Sequence, residues 1–222
     1  MVKLFVLKID DNNADILLDK MSLLSCDEKS KADRFKYKKD KALSLGGRLI
    51  LFCFANRYTD DNYVNLNIIN DLNEFCPENM ADFKIEYDEL GKGYVNQESN
   101  LFYNISHSGD YVVCAFSNKN IGVDIQKIKP LKENFAKRFF NDKDNEYIMS
   151  DKNVDKDKMI RVWTAKESYS KLTGKGISGG FNGFWEDFDE MKIKDYKTNE
   201  KLAEILEFAV DSDYYCTVCS SL

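Results

Sequence analysis

Hydrophobic and polar positions alternate through several short stretches of this chain, and at least two longer stretches carry apolar residues at helical spacing. Met1-Val-Lys-Leu-Phe-Val-Leu-Lys8 reads directly as a strand. Ser25-Cys-Asp-Glu28 is a capping box, so the pattern predicts a helix from Cys26 to about Arg34. Asp40 caps a second helix with Ala42, Leu45, Leu49, Phe52 and Asn56 along one side. Were these one straight helix, Lys31, Arg34, Lys38 and Lys41 would fall on nearly the same side as that apolar stripe, so a break is expected between Lys36 and Asp40. Residues 58–80 are polar and rich in Asn and Asp, which reads as a connection without chemistry. Phe83-Lys-Ile-Glu-Tyr87 alternates as a strand, and Leu90-Gly-Lys-Gly-Tyr94 reads as a tight turn presenting Lys92 between two glycines.

The middle of the chain holds its most unusual residues. Asn104-Ile-Ser-His-Ser-Gly-Asp110 contains the only histidine. Tyr111-Val-Val-Cys-Ala-Phe116 is β-branched and aromatic, Ser117-Asn-Lys-Asn120 is turn chemistry, and Ile121-Gly-Val-Asp-Ile-Gln126 alternates, so 111–126 reads as a β-hairpin. Ile121, Val123 and Ile125 share one face, the expected core side, and Gly122, Asp124 and Gln126 the other. Aspartate is depleted in strands. Either Asp124 lies on the wet face of an antiparallel sheet, or it serves a cation, with Gly122 leaving room for a ligand to approach.

Further on, Phe135-Ala-Lys-Arg-Phe-Phe140 reads as a short helix or turn, and 141–158 as an exposed, mobile run of mixed charge. Arg161 to Leu172 is a helix with Val162, Ala165, Tyr169 and Leu172 as its apolar stripe and Gly174 as its stop. Glu167 and Lys171, four apart and off that stripe, read by periodicity as a solvent-facing ion pair. Glu207-Phe-Ala-Val210 and Tyr214 to Cys219 read as strands.

Charge sharpens this picture. The chain has 222 residues and a net charge of −6, yet Lys29 to Arg48 holds eight basic residues against Asp33 and Asp40. A basic patch in an acidic chain suits a compact polyanionic ligand, with a solvated helical face as the plainer reading, and the overall balance disfavours nucleic acid or a membrane surface. No apolar run reaches membrane-spanning length. The six cysteines show no zinc spacing, and Cys216-x-x-Cys219 falls in a strand, so they are expected to be reduced core thiols of a cytoplasmic protein. No Walker-type loop or kinase motif set is present.

Three motifs in order resemble one family: Asn104-Ile-Ser-His-Ser-Gly109, Ile121-Gly-Val-Asp-Ile125 and Trp163-Thr-Ala-Lys-Glu-Ser-Tyr-Ser-Lys171. The chain is similar to the 4'-phosphopantetheinyl transferases of the surfactin (Sfp) type, and Arg34-Phe35, Lys38, Asp40, Gly91-Lys92, Lys137-Arg-Phe-Phe140 and Gly174-Lys-Gly176 extend the likeness. The resemblance implies an α/β (α+β) fold of two similar halves related by a pseudo-twofold, drawn here at 1–105 and 106–222, in a monomer with coenzyme A between them. It implies transfer of 4'-phosphopantetheine to a serine of an apo acyl or peptidyl carrier protein in fatty acid, polyketide or nonribosomal peptide synthesis, releasing adenosine 3',5'-bisphosphate.

By the same resemblance, Asp124 and Glu167 hold magnesium with Gln126 as an auxiliary ligand, Glu167 takes the serine proton, and Lys171 stabilises the leaving phosphate. Lys31, Arg34, Lys38, Lys92, Ser106, His107 and Lys166 join Lys171 around coenzyme A, His107 at the 3'-phosphate. Gln126 stands where many relatives have Glu, Leu43 where they often have Arg, and Gly93 where proline is usual. These departures motivate an alternative, a catalytically impaired relative that still binds coenzyme A or a carrier.

Overall fold

The computed structural model describes residues 1–24, 26–55, 65–72, 85–87, 89, 92–95, 101–129, 133–150, 153–176 and 180–222. The chain divides into two units, Met1–Glu89 with Gly93–Asn118, and Leu90–Lys92 with Lys119–Leu222.

In the first unit, β1 (Val2–Lys8) leads into α1 (Asp11–Asp19), capped by the Asp10 side chain, which accepts from Asn13 N–H at 2.7 Å. A 3-10 turn (Lys20–Leu23), α2 (Cys26–Ala32) and α3 (Lys38–Ala55) follow. The basic helices do break, but over residues 33–37, a few positions before the expected Lys36–Asp40, and Lys38 to Asp40 are already helical. The second helix starts at Lys38, so Asp40 lies in its first turn instead of capping it. Ser25 of the expected capping box lies outside the described residues. Then come β2 (Leu66–Ile69), β3 (Ile85–Tyr87), β4 (Gly93–Val95), β5 (Phe102–Ser108) and β6 (Tyr111–Ser117). The four-stranded sheet runs β2-β1-β6-β5, with β2 parallel to β1 and the other pairs antiparallel. β2 lies inside the stretch read as a mere connection. β3 and β4 pair as expected around the Lys92 turn, of which Leu90 and Gly91 lie outside the described residues.

The second unit comprises β7 (Ile121–Lys127), α4 (Glu133–Phe139), α5 (Asp142–Ile148), β8 (Met149–Ser150), β9 (Asn153–Val154), α6 (Lys156–Thr173), β10 (Phe184–Asp187), β11 (Lys192–Asp195), β12 (Lys201–Phe208) and β13 (Tyr214–Ser221). Its five-stranded sheet runs β10-β11-β12-β13-β7. α6 ends at Gly174, which adopts the left-handed conformation (φ 72°) that glycine tolerates.

Three expectations are corrected here. β6 and β7 are not a hairpin: β6 pairs with β1 and β5, and β7 pairs with β13. The boundary drawn at 105/106 falls inside β5, and the change of unit comes in the turn after β6. The stretch expected to be exposed at 141–158 instead begins with a helix, α5, that packs against its unit. Asn141 and Asp144 form a capping box for α5, and Asp144 and Ile148 are buried. Among the described residues no helix is long and apolar enough to cross a membrane. Five described cysteines are free, and burial pushes the Cys219 thiol up to about 12, which keeps it protonated and inert.

Candidate active site

β7 and α6 meet backbone to backbone. A Cβ at Gly122 would lie 2.1 Å from the Ser168 carbonyl oxygen and 2.4 Å from the Leu172 nitrogen. The space expected for a ligand at this glycine is therefore filled by the helix. Ser168 locks the contact: its Oγ donates to the Gly122 carbonyl and accepts from Cys219 N–H, both at 2.8 Å. One turn on, the Leu172 carbonyl, left over at the helix end, accepts from Asn120 Nδ2 and Lys92 Nζ, both at 3.0 Å. Lys92 also donates to the Ile121 carbonyl (2.9 Å) and to Asn120 Oδ1. Its ammonium thus clamps the end of α6 to the start of β7, which corrects its expected role as a phosphate ligand.

This contact puts two acids and a lysine together. Asp124 is 2% exposed, so it is not on a wet face. Its Oδ1 accepts from Lys171 Nζ at 2.6 Å and its Oδ2 from Gln126 Nε2 at 3.0 Å. Lys171 therefore pairs across the helix–sheet contact, not with Glu167 in water as the periodicity suggested. Glu167 Oε1 is buried with no hydrogen-bond partner. Burial, then the Asp124 charge, push the Glu167 carboxyl above its ordinary range, against the opposing pull of Lys171. The two carboxylates thus feel one another, and one carries an oxygen that no described protein group hydrogen-bonds.

Lys166 belongs elsewhere. It is 0% exposed, with Nζ 2.8 Å from Asp144 Oδ2 and 3.3 Å from Glu186 Oε1, hydrogen-bonded to the carbonyls of Phe181 and Phe184 and lying over the Phe184 ring. A lysine so enclosed cannot reach a nucleotide, so its expected place among the coenzyme contacts is withdrawn. Burial pushes the Glu186 carboxyl well up, with Lys166 opposing. The shorter contact, to Asp144, makes Lys166 and Asp144 the closer ion pair.

In the first unit the basic segment meets the turn that follows the histidine. Lys39, in the first turn of α3, pairs with Asp110, beside Gly109 in its left-handed conformation (φ 59°). Lys38 pairs with Asp15 and Lys41 with Asp33, both at 2.6 Å, so acids already occupy several cations of the patch. Hydrogen bonding to Asp15 raises the Lys38 pKa. Arg34 is exposed and Lys31 half-buried. His107 is exposed while Ser106 is 5% exposed, and as neighbours on β5 they point to opposite faces. Only one of the two side chains can face a given phosphate. Leu43 is buried in the α3 core at 4% exposed. Lys39 was not singled out in the sequence, although it stood in the same basic run.

Comparison with known proteins decides what this arrangement belongs to. Residues 12–119 match a family described as "4'-phosphopantetheinyl transferase, N-terminal", and residues 120–219 match the "4'-phosphopantetheinyl transferase superfamily". The 4'-phosphopantetheinyl transferase ffp of Bacillus subtilis is 30% identical over 210 residues, covering 90% of this chain and 84% of the relative. The chain belongs to the 4'-phosphopantetheinyl transferase family. The transferase Sfp of Bacillus subtilis is 29% identical over 205 residues, again 90% of this chain and 84% of the relative. Gsp of Aneurinibacillus migulanus is 37% identical over 147 residues, 64% of this chain and 59% of the relative.

Within the transferase, the donor set at Asp124 suits a hard divalent cation: two carboxylates, one with an oxygen buried and unpaired, and an amide on the next residue of the same strand face. The Lys171 ammonium supplies positive charge at Asp124. Gln126 presents its N–H to Asp124, so it orients that carboxylate; ligation by its oxygen requires the amide to turn. Among the described residues no cluster of three or more His, Cys, Asp or Glu side chains is placed to hold a metal ion.

Proposed function

We propose that this chain transfers the 4'-phosphopantetheine of coenzyme A to a serine of an apo acyl or peptidyl carrier protein, acting as a cytoplasmic monomer with magnesium. The observation that carries the reading is the orphaned Glu167 Oε1 beside the buried Asp124–Lys171 pair. A buried oxygen left without a partner is costly and calls for an explanation, and a bound cation supplies one for Glu167 beside Asp124.

A divalent cation held by Asp124 and Glu167 would neutralise charge on the coenzyme's diphosphate. Glu167, made more basic than an ordinary carboxylate by burial and Asp124, takes the proton of the attacking serine hydroxyl. The serine oxygen bonds to the β-phosphorus, the diphosphate bridge breaks, and adenosine 3',5'-bisphosphate leaves. Lys171, paired with Asp124 at 2.6 Å, would stabilise the charge on that leaving group. Lys31, Arg34, Lys38, Lys39 and His107 are the cations offered to the nucleotide end. Lys38 and Lys39 are exposed and pair with Asp15 and Asp110, surface ion pairs that phosphate can outcompete.

The test is to incubate the protein with coenzyme A, magnesium and an apo carrier and weigh the carrier. The wild-type protein adds the phosphopantetheine mass, and Asp124→Asn and Glu167→Gln each lower the rate by about a hundredfold to a thousandfold, as loss of one charge-stabilising group does elsewhere. A carrier left unmodified by the wild-type protein across a panel of apo carriers would refute the reading in favour of the binding-only alternative.

A further inference from the structure

A second orphaned oxygen lies beside Asp124. Thr217, on β13, is the antiparallel partner of Asp124 on β7, so the two side chains leave the sheet on the same face. That face is the one α6 covers. Gly122, two residues before Asp124, abuts Ser168 and Leu172, and Cys219, two residues after Thr217, reaches the Ala165 carbonyl through its Sγ. Thr217 is 0% exposed, and its Oγ1 has no hydrogen-bond partner. Valine would fill the same volume, suit the strand equally well and leave no hydroxyl unsatisfied. A threonine kept dry and unpartnered next to the ligand carboxylate therefore points to a partner that arrives with the ligand.

We infer that Thr217 is a positioning residue of the cation site, its hydroxyl hydrogen-bonding a water held by the divalent ion at Asp124 and Glu167. The inference rests on the function proposed above and goes further in naming a residue outside every motif of the resemblance. The chemistry is that of hydrated magnesium, which keeps several waters when few protein groups ligate it, and those waters need partners. Asp124 and Glu167 are the only carboxylates assigned to the site, and Gln126 is already bonded to Asp124. A hydroxyl, which both donates and accepts, serves whichever way the water turns.

The experiment measures Mn2+ binding directly, as the paramagnetic stand-in for magnesium, by the signal of free Mn2+ in titrations of protein saturated with coenzyme A. Thr217→Val and Thr217→Ala are expected to raise the Mn2+ dissociation constant about tenfold, the loss usual for a group that holds a metal site from outside its ligands, while Thr217→Ser stays close to wild type. Coenzyme A binding without the ion is unchanged, and the metal-free Val variant melts no lower than wild type. The Ala and Ser pair decides the matter if valine disturbs packing. Equal Mn2+ affinity in all four proteins overturns the inference while leaving the transferase reading intact. Wild-type protein that binds no Mn2+ in the presence of coenzyme A overturns both this inference and the cation assignment. Failure of the transferase reading itself shows separately, as a carrier that wild-type protein does not modify.

Discussion

The two long helices, α3 and α6, each have 18 residues and each pack on their own unit's sheet, but they solve the close approach in opposite ways. In α3 the helix gives up its side chains: Gly46 lies against Val112 and Leu7, and Gly47 against Ile105. The rest of its inner face is apolar, with Leu43, Ile50, Leu51 and Phe54 buried. In α6 the strand gives up the side chain, at Gly122, and the helix keeps all of its own. Its inner positions are free to be Thr164, Lys166, Ser168 and Lys171, beside Glu167. Where the glycine sits decides which element can carry chemistry. The inner face of α3 only packs, its lysines standing in its first turn, whereas α6 can bring charged groups to a sheet without losing contact with it.

Lys166 is where this contrast breaks with the largest effect on stability. Lys166→Met leaves Asp144 without its cation inside the second unit, and loss of one partner of a buried pair costs about 3–5 kcal/mol. Burial pushes the Glu186 carboxyl well up toward its neutral form, so Glu186→Gln is expected to cost less, under about 1.5 kcal/mol, the worth of a neutral hydrogen bond. Urea unfolding of the two variants makes the comparison; similar losses would show that Glu186 is ionised and shares the cation equally.

Next in size is the glycine exchange itself. Gly122→Ala forces a methyl group into the backbone of α6, which cannot give way as a side chain can, so a loss of about 3 kcal/mol is expected, the upper end for overpacking. Gly47→Ala meets only the Ile105 Cγ2 at 2.8 Å, and the gain in helix propensity of about 1 kcal/mol offsets much of that crowding. Gly122→Ala protein that still folds should transfer phosphopantetheine poorly, because Glu167 and Lys171 move with the helix, whereas Gly47→Ala protein keeps its activity. Equal melting shifts for the two would put the close contact of α6 elsewhere.

The same contrast explains what could be read from the chain beforehand. α6 and its Gly174 stop follow from local periodicity and a glycine. The partner of β7 does not, because strand, turn and strand look alike whether the neighbour is β6 or, as here, β13 near the other end of the chain. Asp124 resembled a solvated residue because its cation, Lys171, lies 47 positions on, and nothing local announces it. α5 was missed for the same reason, since a buried Asp144 makes sense only once Lys166 is beside it. The resemblance pointed to Asp124, Glu167 and Lys171, which the structure brings to one helix–sheet contact, but a motif does not separate residues proposed for the substrate from those that hold the helix. Lys92, Gly122, Lys166 and Ser168 all sit in matched segments, and all four seat α6.

The smallest effect tests the electrostatics of the site without substrate. Glu167 binds its proton more tightly folded than unfolded, so its contribution to stability is fully present below its ordinary pKa of 4.5 and is lost as pH rises through the higher folded value. Above that value the ionised carboxylate sits half-buried beside Asp124, relieved only in part by Lys171. Glu167→Gln removes this repulsion, so the metal-free variant should melt with wild type at pH 4 and above it at pH 8. Solvent reaches part of the carboxyl and screens it, so the gap should stay within about 3 °C, what roughly 1 kcal/mol gives a chain of this size. Saturating magnesium and coenzyme A should reverse the order, because the wild-type carboxylate then gains a ligand that glutamine cannot hold as well. A Gln variant that melts below wild type at pH 8 in chelator would mean that Glu167 is already satisfied by protein groups, and that α6, like α3, only packs.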